Sequence, residues 1–210
     1  METYQTEEQQ VEAIKGYWKE NGNSLIAGLV IGLGGFIGWN YYQDSVVEAQ
    51  QVASYQYQQT MQAFESEEAD FRANTQAFID ANSTTAYSAF AAFALAKDAV
   101  EHEDFAGAET QLKKAVELAA NENIKAIAYL RLARVQIQLE AFDNALATLA
   151  QTMPETFKAS IEETKGDTYL KQGNTELART AYQAAADAGG LQANPTLQIK
   201  LDDLAVNVAG

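Results

Sequence analysis

The chain of 210 residues carries 14 Lys and Arg against 29 Asp and Glu, a net charge of −15, with one histidine and no cysteine. That balance argues against nucleic acid or anionic lipid as a partner, and a chain without cysteine has neither disulfides nor thiol chemistry. Two prolines among abundant Ala, Gln and Leu point to an all-α protein.

At the N-terminus Thr6-Glu7-Glu8-Gln9 matches a capping box, with Val11, Ile14 and Trp18 at helical spacing behind it. This predicts a short amphipathic helix in a segment 1–20. Residues 21–43 then contain no charged side chain. At ~1.5 Å per residue such a run covers the ~30 Å hydrocarbon core of a bilayer, which predicts one membrane-spanning helix. Tyr17 and Trp18 before it and Trp39, Tyr41 and Tyr42 after it supply aromatic rings for both headgroup levels. A cleaved signal peptide is the competing reading. It fits poorly, because five acids precede the run and the small-residue triplet Val47-Glu48-Ala49 follows it at a distance. Lys15 and Lys19 lie just before the span, whereas the next basic residue is Arg72. By the lysine and arginine rule the N-terminus is expected in the cytoplasm and residues 44–210 outside, which in a bacterium is the periplasm.

Residues 44–85 are rich in glutamine. Val46, Ala49, Ala53, Tyr57, Met61 and Phe64 nevertheless recur every three or four residues with no Pro or Gly between them, predicting helices packed on the following domain as its cap. From 86 to 190 the sequence repeats. Ala108 with Leu112, Ala145 with Leu149 and Ala178 with Tyr182 recur at intervals bracketing the ~34-residue period of tetratricopeptide repeats, two antiparallel helices each. Three units are expected, at about 89–122, 126–158 and 159–190. The third is clearest, with Gly166, Tyr169, Gly173, Ala178, Tyr182 and Ala185 in register, although Lys165 stands where Leu95 and Leu132 stand in the others. A repeat stack needs its ends covered. Asn194-Pro195 starts a helix well, and Leu197, Leu201 and Leu204 give a segment 191–210 an apolar face for that purpose. The expected fold is therefore a single N-terminal transmembrane helix followed by an α-solenoid of about three repeats with helical caps.

Nothing in the chain resembles a nucleotide-binding loop or a nucleophile elbow. His102, within Glu101-His102-Glu103-Asp104, is more simply a solvated turn than a metal site. Neither an enzyme nor a cofactor is expected. Gly28, Gly32 and Gly35 fall on one face of the span and suit close packing on a larger membrane protein or on a second copy, making a homodimer; glycine is also common in membrane helices generally.

Gln10-Val11-Glu12-Ala13, Glu20-Asn21-Gly22, Ile37-Gly38-Trp39 and Leu130-Arg131-Leu132-Ala133-Arg134-Val135-Gln136 resemble the YfgM family, ancillary subunits of the bacterial SecYEG translocon. The resemblance is strongest over 10–39 and 124–139 and weakest over 44–85 and beyond 186. It implies an inner-membrane protein with a periplasmic repeat domain. It also implies association with the translocon and with a membrane-anchored periplasmic chaperone of the prolyl-isomerase type, and a role in passing exported client chains to periplasmic chaperones. It implies no catalytic residue.

In such stacks the first helices of the units line a concave groove suited to peptides. Repeat register assigns to that groove Phe90, Phe93 and Lys97, then Ile127, Leu130 and Arg134, then Glu163, Asp167 and Leu170. Two other functions are compatible with the sequence. One is a scaffold for envelope assembly unrelated to the translocon; the other is an enzyme with carboxylates such as Glu163 and Asp167 brought together from distant positions.

Overall fold

The computed structural model describes residues 7–66 and 70–206. Thr6, the expected capping residue, and the tail beyond Val206 lie outside the described residues. The chain divides into two compact units, residues 1–52 and 53–210.

Helix α1 (Glu7–Glu65) supplies the first unit and continues into the second. It is long and apolar enough to cross a membrane. Leu29, Val30, Ile31, Phe36 and Ile37 are all more than half exposed, so no protein surface covers this stretch. A Cβ added at Gly28, Gly32 or Gly35 would meet nothing within 4 Å.

In the second unit the end of α1 packs through Ala53, Tyr57, Met61 and Phe64, while Val46 and Ala49 of the same series belong to the first unit. Tyr57 stacks obliquely on Phe78, Tyr87 and Phe90, and Phe64 on Phe71. Those partners come from α2 (Phe71–Ala81) and α3 (Ala86–Glu101). Three helical pairs follow, α3 with α4 (Phe105–Leu118), α5 (Glu122–Gln138) with α6 (Phe142–Leu149), and α7 (Lys158–Lys171) with α8 (Thr175–Asp187). Pro154 sits in the α6–α7 connection and leads into a short 3-10 turn, Glu155–Phe157. A four-residue helix α9 (Gly190–Ala193) and α10 (Thr196–Val206) close the stack.

The first helices of the pairs begin at Ala86, Glu122 and Lys158, at equal spacing. On the second helices Ala108, Ala145 and Ala178 are fully buried, and four residues on Leu112, Leu149 and Tyr182 are at most 2 % exposed. Small residues let the paired helices close up, and each bulky residue fills the layer they leave, contributing about 2 kcal/mol by burial. Gly166 is the extreme case, since a Cβ there would fall on the ring of Tyr182.

Each pair turns through the same backbone device. Glu103, Glu140 and Gly173 have φ of 59°, 57° and 79°. The following N–H groups of Asp104, Ala141 and Asn174 donate to the carbonyls of Ala99, Gln136 and Tyr169 at 2.8, 2.9 and 2.8 Å. This is the left-handed helix stop in which one residue satisfies the orphan carbonyls. Asp104 then caps α4 by accepting from the Gly107 N–H at 2.9 Å, and Asn174 caps α8 through the Leu177 N–H at 3.4 Å. Ala141 has no side chain to do so for α6.

Two substitutions test this frame by urea denaturation. Gly166→Ala is expected to lower stability by about 1–3 kcal/mol through overpacking against Tyr182, and Ala141→Asp to raise it by about 1 kcal/mol by supplying the missing cap. A neutral Gly166→Ala would mean that the helices of the third pair can separate without cost.

Candidate functional site

Between α3 and α5 lies a groove of about 510 Å³ lined by Phe93, Lys97, Val100, Glu101, Arg131, Arg134 and Val135, with Phe105 and Leu112 of α4 completing it; Glu101, its one carboxylate, is turned to Lys97. Its walls are the first helices of two successive pairs, which is where equal helix spacing leaves room between neighbours. Arg131 lays its guanidinium over the Phe93 ring at 4.6 Å, a cation–π contact. Burial holds the pKa of Arg131 below its ordinary value, and the charge of Arg134 adds to the effect. Lys97 sits over the Phe64 ring at 4.9 Å and lies 3.5 Å from Glu101.

Of the residues that register assigns to the groove, Phe93, Lys97 and Arg134 come together here. Phe90 is 37 % exposed but turns toward Tyr57, and Ile127 is exposed outside the groove lining. Leu130 is a correction. It is 7 % exposed and packs with Ala133, Ile137, Ala145 and Leu149, because α5 is covered by α6 and α7 on that side. Arg131 is the groove residue that register omits. Its signal in the sequence is a second cation three residues before Arg134 on an otherwise buried helix.

At the third pair the structure corrects the assignment of Glu163 and Asp167 to an open groove, because both are engaged by α10. Lys200 of α10 reaches both, with Nζ 2.8 Å from Glu163 Oε1 and 2.6 Å from Asp167 Oδ1. Asn194 Nδ2 donates to Glu163 at 2.8 Å, and the Tyr182 hydroxyl donates to Asp167 at 2.7 Å. The Asn194 side chain also accepts from the Thr196 N–H at 3.1 Å and so starts α10. Burial, followed by the hydrogen bond to Asp167, pushes the Tyr182 hydroxyl far above its usual pKa. For Lys200 burial pulls downward, but the bonds to Asp167 and Glu163 and their charges outweigh it and lift the ammonium above an ordinary lysine. Leu170 remains 42 % exposed beyond this network.

A second cavity of about 390 Å³ lies between α2, α3 and α4, with Arg72, Gln76, Asp98, His102 and Gln111 set among Ala73, Leu95 and Ala99. Arg72 Nε donates to Asp98 Oδ2 at 2.5 Å, and His102 Nδ1 lies 2.8 Å from the Asp98 carbonyl. The hydrogen bond to Asp98 raises the Arg72 pKa. Among the described residues no group of three or more His, Cys, Asp and Glu is placed to hold a metal ion.

A family model described as a tetratricopeptide repeat-like domain matches residues 15–206. Among known proteins, one named ancillary SecYEG translocon subunit in Haemophilus influenzae is 36 % identical over 94 % of this chain and 97 % of its own length. The Escherichia coli protein of the same name is 34 % identical over 98 % of this chain and 100 % of its own. That of Aggregatibacter actinomycetemcomitans is 33 % identical over 94 % and 97 %. No solved structure matches the chain.

The Lys200 network makes a pH prediction. A lysine whose pKa is raised on folding stabilises the fold fully below its unfolded value of ~10.4 and loses that contribution as pH rises through the folded value. Lys200→Gln is therefore expected to cost about 1–3 kcal/mol at neutral pH by leaving two partly buried carboxylates without their cation. The gap in melting temperature from the unsubstituted chain should close only above pH ~10.4. A gap that is already absent at pH 7 would remove Lys200 as the latch of α10.

Proposed function

The chain belongs to the family of tetratricopeptide repeat-like proteins named ancillary SecYEG translocon subunits, and from that premise we propose that it is a non-catalytic adaptor anchored in the bacterial inner membrane beside the translocon. In this reading residues 21–43 span the bilayer with the N-terminus cytoplasmic, and the repeat domain works in the periplasm. The positions of Lys15 and Lys19 support that orientation. Gly28, Gly32 and Gly35, open on the surface of α1, are the helix-packing face toward translocon helices.

The observation that carries the binding role is the groove between α3 and α5. It is concave and largely apolar, whereas the Arg72–Asp98 and Lys200–Glu163–Asp167 clusters are internally paired. Apolar grooves between helices suit peptide segments. Its ligands in this reading are segments of newly exported chains or of a membrane-anchored prolyl-isomerase-type chaperone, which the adaptor brings to one another. Carboxylate chemistry is a weak competitor, since Glu163 and Asp167 are both engaged by Lys200.

Photocrosslinking in cells with one probe at Leu29 and another at Lys97, both exposed, tests the two halves separately. Translocon subunits are expected at Leu29, and a periplasmic chaperone or a nascent exported chain at Lys97. Adducts confined to envelope-assembly proteins at both positions would replace the adaptor by a scaffold.

A further inference from the structure

Eight cations of the second unit are satisfied by carboxylates. Arg72, Lys97, Lys113, Lys114, Lys158, Lys165, Arg179 and Lys200 all lie within 4.0 Å of an Asp or Glu. Lys125, Arg131, Arg134 and Lys171 have no such partner among the described residues, although the chain has twice as many acids as bases, and of these four only Arg131 and Arg134 line the groove. In a protein of net charge −15 a cation is easily neutralised by its neighbours, so two adjacent unneutralised arginines on the wall of an apolar groove stand out. The charge of Arg134 also adds to the burial that disfavours the charged form of Arg131. An anion placed between them would relieve that repulsion and accept the planar, forked donors that guanidinium groups present.

Resting on the peptide-binding reading of the groove, we propose that Arg131 and Arg134 make it selective for segments in which an Asp or Glu lies next to large apolar side chains. The apolar residue packs on Phe93, Val100 and Val135 while the carboxylate takes the guanidinium groups from the open side. Phe93 fixes Arg131 in place from below, at 4.6 Å, so part of the ordering cost is met before the ligand arrives. Basic or uncharged apolar segments meet either repulsion or two arginines left without an anion. The site therefore discriminates among exported segments by charge as well as by hydrophobicity.

Fluorescence anisotropy of the full chain in detergent tests this with short dye-labelled peptides in which leucine and phenylalanine alternate with glutamate, with glutamine or with lysine. The glutamate peptide is expected to bind about tenfold more tightly than the glutamine one, with the difference shrinking as salt is raised. Arg131→Gln with Arg134→Gln should abolish the difference while the chain still melts cooperatively, at a slightly lower temperature for want of the Arg131–Phe93 contact. Arg134→Glu should turn the preference toward the lysine peptide, a gain that a misfolded variant cannot produce. Equal binding of glutamate and glutamine peptides, both lost when Val100→Trp fills the groove, overturns the charge selection and leaves the groove as a peptide site. Failure of every peptide to bind, or binding that survives Val100→Trp, overturns both.

Discussion

The repeat unit depends on helices meeting where their side chains are smallest. Ala96 and Ala108 share one cluster, and Ala133 and Ala145 the next; Gly166 lies against the ring of Tyr182 in the third pair. Each contact brings the two helices of a pair so close that the residue four positions on, Leu112, Leu149 or Tyr182, cannot remain between them and fills the layer toward the next pair. Pairs stacked at equal spacing then leave a trough along their first helices. The groove is thus a by-product of packing at alanine and glycine; its floor, with Phe93, Leu112 and Val135, is shared with the core, while Lys97, Val100, Arg131 and Arg134 face its open side.

The two ends of the stack are closed by different physics. At the N-terminal end rings do the work, with Tyr57 and Phe64 of α1 seated among Phe71, Phe78, Tyr87 and Phe90. At the C-terminal end Leu197 and Leu204 bury an apolar face against Ala178, Tyr182 and Ala185. Lys200 then ties the helix down over the carboxylates of α7. That tie engages the carboxylates of the third pair, whereas the stretch between α3 and α5 keeps an open apolar groove. Between the ends a buried polar bridge sets register. Gln136, 3 % exposed, accepts from Thr148 at 2.8 Å and donates to Glu109 at 3.1 Å, joining α4, α5 and α6. Hydrogen bonds from Lys113 and Gln136 hold the Glu109 carboxyl below its usual pKa, so the bridge keeps its charge in mild acid.

The helical class, the uncharged apolar run and the repeating alanines were legible in the sequence because each follows from a period or a length. The groove was legible only in part, for a physical reason. The first helices of a solenoid touch neighbours on several sides, so α5 buries Ala126, Ala128, Leu130, Leu132, Ala133, Val135, Gln136 and Ile137 and has almost no clean polar face. Register along such a helix does not separate a groove wall from core, so it places Leu130 outward and omits Arg131. The engagement of Asp167 was hidden for another reason, since its partners Tyr182 and Lys200 come from two other helices. The left-handed turns at Glu103 and Glu140 were likewise hidden. Glycine announces that conformation at Gly173, while glutamate adopts it only because the paired helices impose it, at a cost of about 1–2 kcal/mol each.

As the peptide site proposed above, a groove with a handful of apolar side chains and two arginines on its rim would make weak and reversible contacts. Apolar area on this scale converts into modest affinity once the ordering of a flexible peptide is subtracted, and charged contacts at an open rim are screened by salt. Weakness is a defect for a freely diffusing binder but not for an anchored one. A chain that carries its own membrane helix holds its groove at a high effective concentration relative to anything else confined to that surface, and confinement can raise overall avidity by ~10²–10⁴ without a new contact. Fast release is then compatible with efficient capture. On the proposed function, an apolar helix held in the membrane would supply the concentration that lets such a groove stay weak.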